Sequence, residues 1–512
     1  MATEHLDRLS AIDASFLHQE HRASHMHIGG LMIFEGPPPG REQVLEGIES
    51  RLHLVPRYRQ KLSFPRMEMG RPFWVDDSRF NLEYHVRHTA LPSPGRDDQL
   101  RELIGRVFSQ RLDRSKPLWE IWVVQGLTQN RFALISKSHH ALIDGISGVD
   151  IATVLFDLTP EPTEVPPPDK PWYPQPEPGQ AQLAAEGLKD LVKTPLDVAS
   201  RATRALQDPG RTAAGAVEAA QGLGELVWAG LNPAPETPLN VPIGPHRTVR
   251  WVRSRLADFK LVKDEFGGTV NDVVLTVVSG GLRRWLRSRG IRTEGLELRA
   301  LVPVSVRTDD GQGALGNQIA AMRGPLPVYV DHPVERLRIV SEAMKGLKES
   351  KQALGAEVIA GIEGFAPPTL LAQATRMNFS TRLFNLIVTN VPGPQFPLYM
   401  HGRQLLEMAP IAFLPENHAM AIAIMSYNGN VDFGLLADYD AMPDIDDFAE
   451  FLEESLAELL EAAGKPKRAQ KATAGGGKRA PARSSRNGAA SNGSSGRPKN
   501  KGKRKRPTSS RG

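Results

Sequence analysis

The 512-residue chain contains no cysteine. Disulfides, zinc–thiolate sites, iron–sulfur clusters and any cysteine-borne acyl intermediate are therefore excluded. The absence also fits a reducing compartment. No window reaches 18 uninterrupted apolar residues. Even the stretch 408–425 is broken by Pro410, Pro415, Glu416, Asn417 and His418, so no membrane-crossing helix is expected. The opening MATEHLDRLSAID lacks the basic start and apolar middle of a signal peptide. A chain that is soluble inside the cell, or rests on a membrane without crossing it, is expected. Also missing are G-x-x-x-x-G-K-[ST], G-x-S-x-G and H-E-x-x-H, the usual supports for P-loop, serine-esterase and zincin chemistry. Gly311 to Gly316 does match G-x-G-x-x-G. Dinucleotide binding would need a helix to open there, and Pro325 and Pro327 leave no room for one. A flexible loop is expected instead.

The rest of the composition is that of an ordinary globular protein, 40% hydrophobic and 24% charged. The net charge of +5 is misleading, because residues 464–512 carry 16 Lys/Arg and no Asp/Glu. The first 463 residues then hold 47 basic against 58 acidic groups, a net of −11. The tail has no aromatic residue and almost nothing apolar, so burial cannot offset its ordering entropy and disorder is expected.

Nine of the nineteen residues in 160–178 are proline, which forbids regular helix or inner strand. An Ala-rich piece with helical spacing follows, carrying Leu226, Val227, Trp228 and Leu231. This punctuation divides the chain into an N-terminal lobe (1–159), a Pro/Ala-rich crossover (160–238), a C-terminal lobe (239–463) and the basic tail (464–512). Within the lobes, strand patterns lie at 27–34, 119–124, 131–136, 249–255, 298–306, 386–390, 419–426 and 430–437. Helical patterns lie at 41–54, 97–109, 148–158, 270–286, 333–346 and 445–463. The expectation is a mixed α/β (α+β) fold of two lobes, each a sheet with helices.

The chemistry concentrates in Ser138-His139-His140-Ala141-Leu142-Ile143-Asp144-Gly145. It lies between an apolar strand and an amphipathic helix, where a side chain is held firmly yet reached by substrate. An imidazole there can take a proton from a hydroxyl and return it to a leaving group. Asp144 can brace the loop or orient the ring, and Gly145 allows a turn that a side chain would forbid. Two bland alternatives remain for the histidines, a surface pair or two ligands of a metal. The metal reading lacks a nearby third ligand.

His139-His140-x-x-x-Asp144-Gly145 is the HHxxxDG motif of the CoA-dependent acyltransferase superfamily. Further blocks resemble the bacterial wax ester synthase/diacylglycerol acyltransferase family. They are Asp13-Ala-Ser-Phe16; Met26-His27-Ile28-Gly29-Gly30; Pro117-Leu118-Trp119-Glu120; Pro238-Leu239-Asn240 with Pro242-Ile243-Gly244; Thr269-Val270-Asn271-Asp272-Val273-Val274; and Asn390-Val391-Pro392-Gly393-Pro394. The resemblance runs over about 1–460, nearly the whole folded chain, and excludes the tail.

The resemblance implies a two-lobed CoA-dependent acyltransferase-like architecture in which His140 is the general base. His140 would deprotonate a diacylglycerol or long-chain alcohol that attacks an acyl-CoA directly, with His139 supporting. The products would be triacylglycerol or wax ester. No cofactor and no metal is implied, since acyl-CoA is a substrate. Work on such acceptors implies a cytoplasmic enzyme, peripheral on the inner face of the plasma membrane or on lipid droplets.

Other residues divide between substrate and structure. Thr269 and Asp272 read as a capping box, which puts Asn271 in the first turn of a helix, where developing negative charge is favoured. Asn271 is a candidate for oxyanion stabilisation or for capping alone, and Asp272 for capping. Pro117 and Trp119 would fix a strand entry and fill core, and Glu120 would pair with an arginine. Asn390 would sit in a turn shaping a pocket wall, and Arg307 is one candidate partner for Asp144. Leu226, Val227, Trp228 and Leu231 either pack on a lobe or form an interfacial patch. The tail suits anionic lipid, and nucleic acid would be met only through it. Two other functions stay open: the same chemistry on another lipid or polyketide hydroxyl, and a non-catalytic scaffold acting through the tail.

Overall fold

A computed structural model of the chain describes residues 7–65, 71–142, 155–183, 185, 232–305, 319–349 and 380–464. Asp144, Gly145, Arg307, the 311–316 glycine segment, most of the 148–158 helix, Leu226 to Leu231 and the tail beyond 464 lie outside the described residues.

The strands are β1 (Asp7–Arg8), β2 (His27–Glu35), β3 (Gln60–Ser63), β4 (Phe73–Asp76), β5 (Val86–Ala90), β6 (Trp119–Leu127), β7 (Arg131–His139) and β8 (Arg247–Arg255). They continue with β9 (Leu298–Ser305), β10 (Ile319–Leu326), β11 (Leu386–Pro392), β12 (Tyr399–Met400), β13 (Arg403–Ile411), β14 (Met420–Tyr427) and β15 (Asn430–Asp438). The helices are α1 (Ala11–Gln19), α2 (Arg41–Arg51), α3 (Leu82–His85), α4 (Asp97–Ser109), α5 (Leu256–Phe266), α6 (Val270–Ser288), α7 (Pro333–Glu349) and α8 (Ile445–Ala462). This is the mixed α/β fold expected from the sequence.

Two six-stranded sheets carry the architecture. The first runs β12-β13-β2-β7-β6-β5 and the second β10-β9-β11-β14-β15-β8. Strands β2, β7 and β6 are antiparallel, whereas β9, β11 and β14 are parallel, as a mixed sheet requires. Alternation along β7 assigns Phe132 and Leu134 to the core beside α2, and Ala133 and Ile135 to the core between the sheets. In the second sheet Val431, Phe433 and Leu435 of β15 turn the other way, onto α6 and α8. Helix α6 buries all but a few of its residues there, its apolar positions recurring at helical spacing.

One segment departs from the division read in the sequence. Residues 399–411 fall within the stretch assigned to the C-terminal lobe, yet β12 and β13 complete the first sheet, with β13 antiparallel to β2. Pro410 hid this strand. The short β12 covers only the start of β13, so Pro410 deprives no partner of a ladder bond on that side. Pro325 is tolerated for the same reason, since β10 is an edge strand. Strand β10 begins at Ile319, three residues after Gly316.

The crossing brings the two sheets into close contact. Arg253 of β8 reaches Glu407 of β13 at 3.5 Å and Asp432 of β15 at 3.6 Å. Gly434 of β15 lies against Pro410, where an added Cβ would stand 1.7 Å from the Pro410 carbonyl oxygen. Backbone cannot yield as a flexible side chain does. Gly434→Val is therefore expected to lower the unfolding free energy by at least roughly 1–3 kcal/mol. A denaturant midpoint equal to that of the parent chain would show that the sheets separate freely at this point.

Candidate active site

Strand β7 stays hydrogen-bonded on both sides to its last residue. The His139 N–H donates to the Leu118 carbonyl at 3.0 Å, and the His140 N–H to the Met26 carbonyl at 2.9 Å. A single 3-10 turn, His140–Leu142, follows, with Ala141 and Leu142 buried in the first core. His140 is thus fixed where the strand ends. Its ring stacks on Phe16 of α1 (centroids 3.9 Å, 26°) and meets the edge of Phe413 at 5.5 Å. Among the described residues His140 Nδ1 has no hydrogen-bond partner. The ring is half-buried, and burial pushes its pKa down to about 4, with neighbouring His139 acting in the same direction. At neutral pH it is an uncharged base.

His139 points the other way and is fully enclosed. Its Nδ1 accepts the Ala141 N–H at 3.0 Å, and its Nε2 faces Glu20 at 3.5 Å. Glu20 also accepts from Arg111 Nε at 2.8 Å and Arg114 Nε at 2.7 Å. Burial opposes its charged form, but His139, Arg114 and Arg111 together hold the carboxyl down at about 2. His27 lies beyond, its ring 6.0 Å from that of His139. Sequence reasoning missed Glu20 entirely. The only linear hint is a pair of arginines ahead of the Pro117 block.

The Pro117 block lies beside the histidines in register, Trp119 opposite Ser138 and Glu120 opposite Lys137. Trp119 is buried, donates from Nε1 to the Tyr58 carbonyl at 2.8 Å and stacks on His85 at 4.6 Å. The Trp119 N–H bonds to the Pro117 carbonyl at 2.9 Å, a tight entry into the strand. Glu120 accepts from Trp122 Nε1 at 3.0 Å and pairs with Arg87 at 3.4 Å and Lys137 at 3.6 Å. These contacts fill core and neutralise charge beside β7.

In the second sheet, Thr269 and Asp272 form the capping box of α6. The Thr269 N–H donates to the Asp272 carboxylate at 2.8 Å, and the Asp272 N–H to the Thr269 hydroxyl at 3.2 Å. Asn271 sits half-buried in that first turn, and its Oδ1 accepts from Asn390 Nδ2 at 3.1 Å. Asn390 was expected in a turn. It lies instead within β11, paired with Ile424 of β14, because parallel pairing continues to Pro392. With Oδ1 occupied, the Asn271 amide turns its N–H groups elsewhere. Among the described residues no group of three or more imidazoles and carboxylates is arranged to hold a metal ion.

The strand-end histidine on one mixed sheet and the helix N-terminus on the second lie within a condensation-domain-like fold of two sheets. A condensation domain of the calcium-dependent antibiotic synthetase shares that fold at 16% identity and a TM-score of 0.55, covering 91% of this chain and 98% of the other. More specific is the wax ester synthase/diacylglycerol acyltransferase from Marinobacter aquaeolei VT8. It is 27% identical with a TM-score of 0.63, over 89% of this chain and 100% of its own. Residues 9–274 match the wax ester synthase/diacylglycerol acyltransferase catalytic domain, and 315–460 the C-terminal domain of the same family. The chain is 33% identical to the Mycobacterium tuberculosis protein described as "Probable diacyglycerol O-acyltransferase tgs1", over 89% of this chain and 96% of the relative. It is also 33% identical to tgs2 of the same species, over 90% and 100%. The chain belongs to the wax ester synthase/diacylglycerol acyltransferase family.

Buried neutral histidines link stability to pH. His140 and His85 are both held at about 4 by burial, below the ordinary histidine value of 6.5. As pH falls below 6.5 the unfolded chain gains protons that the folded chain refuses, so stability declines towards pH 4. Glu20 adds to this slope only as pH nears 4.5, its ordinary value, where the unfolded carboxyl takes up protons that the folded one refuses. Denaturant midpoints measured from pH 7 to 4.5 are expected to fall, and less steeply in His140→Ala. Equal slopes in the two proteins would mean that His140 titrates as an exposed ring.

Proposed function

We propose that this chain transfers a fatty acyl group from acyl-CoA to the free hydroxyl of diacylglycerol, giving triacylglycerol. By the same step it would convert long-chain alcohols to wax esters. The observation that carries this reading is the uncharged, half-buried His140 at the end of β7, in a chain of this family. His140 takes the hydroxyl proton as the alcohol oxygen bonds to the thioester carbonyl carbon. The tetrahedral oxyanion then collapses, the carbon–sulfur bond breaks, and the imidazolium returns its proton to the CoA thiolate. No acyl-enzyme forms, in keeping with a chain without cysteine.

A positioned base supplies typically ~10²–10⁴ in rate, so orientation and charge stabilisation carry the remainder. Asn271 is proposed for part of this, because its amide N–H groups sit at the positive end of α6 and Asn390 occupies its oxygen. His139, Asp144 and Gly145 would shape the turn, while Pro117, Trp119, Glu120 and Asp272 hold the elements that carry the site.

Both acceptor types partition into lipid. Among the described residues no helix is long and apolar enough to cross a membrane. The proposed place of work is therefore the surface of a bilayer or lipid droplet on the cytoplasmic side, with the 16 cationic residues of 464–512 attracted to anionic lipid.

Purified protein given radiolabelled acyl-CoA and a mixture of diacylglycerol, fatty alcohol and other hydroxyl acceptors tests the reading. Labelled triacylglycerol or wax ester is expected, falling roughly 10²–10⁴-fold in His140→Ala. Product confined to some other acceptor would sink it. The free enzyme's kcat/KM is expected to stay level from pH 8 to about 6 and to decline as pH approaches 4, following His140. Removal of 464–512 is expected to lower binding to anionic vesicles without changing turnover on dispersed substrate. Equal loss of both would argue against the tail as a lipid tether.

A further inference from the structure

Helix α1 serves both histidines at once. Phe16 stacks on the His140 ring, and Glu20, four residues later and capping the same helix, faces His139 Nε2 at 3.5 Å. Residues four apart share one face of a helix, so the two contacts are made by one rigid edge. His139 has no freedom of its own. With Nδ1 accepting from the Ala141 N–H at 3.0 Å, the neutral ring carries its proton on Nε2, towards Glu20. Arg114 ties the arrangement down by donating to both Glu20 and the Leu17 carbonyl, the latter at 2.9 Å.

The charges at this point are unequal. One carboxylate meets Arg111 and Arg114, while Lys137 beyond is paired with Glu120 and burial keeps His25 and His27 towards the neutral form. Removing the Glu20 charge would leave the two arginines uncompensated beside His139.

We propose that Glu20 is a positioning residue for acyl transfer. It pins the end of α1 to His139, so that Phe16 keeps the His140 ring aimed, and its charge offsets the two arginines beside His139, the base's immediate neighbour. The inference rests on His140 being that base.

The test is a comparison of Glu20→Gln, Arg114→Ala, His140→Ala and the parent protein, full-length, with acyl-CoA and a dispersed alcohol acceptor. Asp13 and His18, the other ionisable groups of α1, are the same in all four. Glu20→Gln keeps the shape but removes the charge. Its kcat is expected to fall by up to roughly 10²-fold, as for a misaimed catalytic group, with KM changed less than about twofold. The acid limb of kcat/KM is expected to move in opposite directions. The uncompensated arginines of Glu20→Gln disfavour imidazolium, so its profile stays level to lower pH than the parent's. Arg114→Ala removes positive charge, so its limb moves to higher pH.

Parent-like kcat and limb in Glu20→Gln would overturn the proposal, and so would lowered kcat with unmoved limbs in both variants, which is the mark of a role in folding alone. Should Glu20→Gln fail to fold, Arg114→Ala decides by its limb. An active His140→Ala would instead bring down the assignment of the base itself, an outcome separate from the others.

Discussion

The site depends on β7 remaining paired on both sides up to its final residue. An edge strand would fray, and an imidazole at its tip would sample many orientations. Here Leu118 and Met26, the residues just ahead of β6 and β2, each contribute a carbonyl to one of the two histidine N–H groups, and the turn that follows is sealed by Ala141 and Leu142. The cost of fixing the ring is thus met during folding, before any substrate arrives. The neighbours of β7 also explain why short blocks far apart in the chain occur together. The Pro117 block supplies β6 and the Met26 block supplies β2, so both are scaffolding for one turn.

Once fixed, the ring needs to be uncharged and able to accept a proton. Burial between Phe16 and Phe413 accomplishes the first by disfavouring imidazolium, and no carboxylate among the described residues touches the ring to reverse it. Glu20 sits one residue away, on His139, with its charge occupied by two arginines. The two adjacent histidines therefore differ in kind. One is held by a hydrogen bond at Nδ1 and by the Glu20 carboxylate 3.5 Å from Nε2, and the other by aromatic faces, its Nδ1 unbonded among the described residues.

Much of this was legible in the sequence where the signal was local. The capping box at Thr269 and Asp272, the long amphipathic run behind it and the strand-like runs at 27–34, 131–136 and 419–426 are short-range patterns, and they correspond to elements in the structure. What escaped was long-range or masked by proline. Strand β13 is not among the strand patterns read in the sequence, because Pro410 interrupts it and only its pairing with β2 reveals it. The pairing of Glu20 with Arg111, Arg114 and His139 joins residues about ninety to one hundred and twenty positions apart. Neither periodicity nor a local motif can encode such a contact. Asn390 was misread for a related reason: a Pro-Gly-Pro sequence marks a turn, but the parallel ladder with β14 carries the strand through to Pro392 before the turn begins.

The return of β12 and β13 to the first sheet has a mechanical consequence. His140 stands on one sheet, while Asn271 and Asn390 belong to the other, so a reaction that uses both needs the sheets held in fixed relation. A simple linker between two lobes would not do this, because it would restrain distance but not orientation. A strand inserted beside β2 restrains both, through main-chain hydrogen bonds along most of its length. The contact of Gly434 with Pro410 then presses β15 directly onto that strand, and Arg253 spans from β8 and β15 to β13. At this seam Asp432 is buried with no hydrogen bond among the described residues, and burial raises its pKa to about 7 despite Arg253. A buried acid with so weak a partner is a cost to stability. It is tolerable because the backbone pairing, rather than the ion pair, carries the alignment of the two halves.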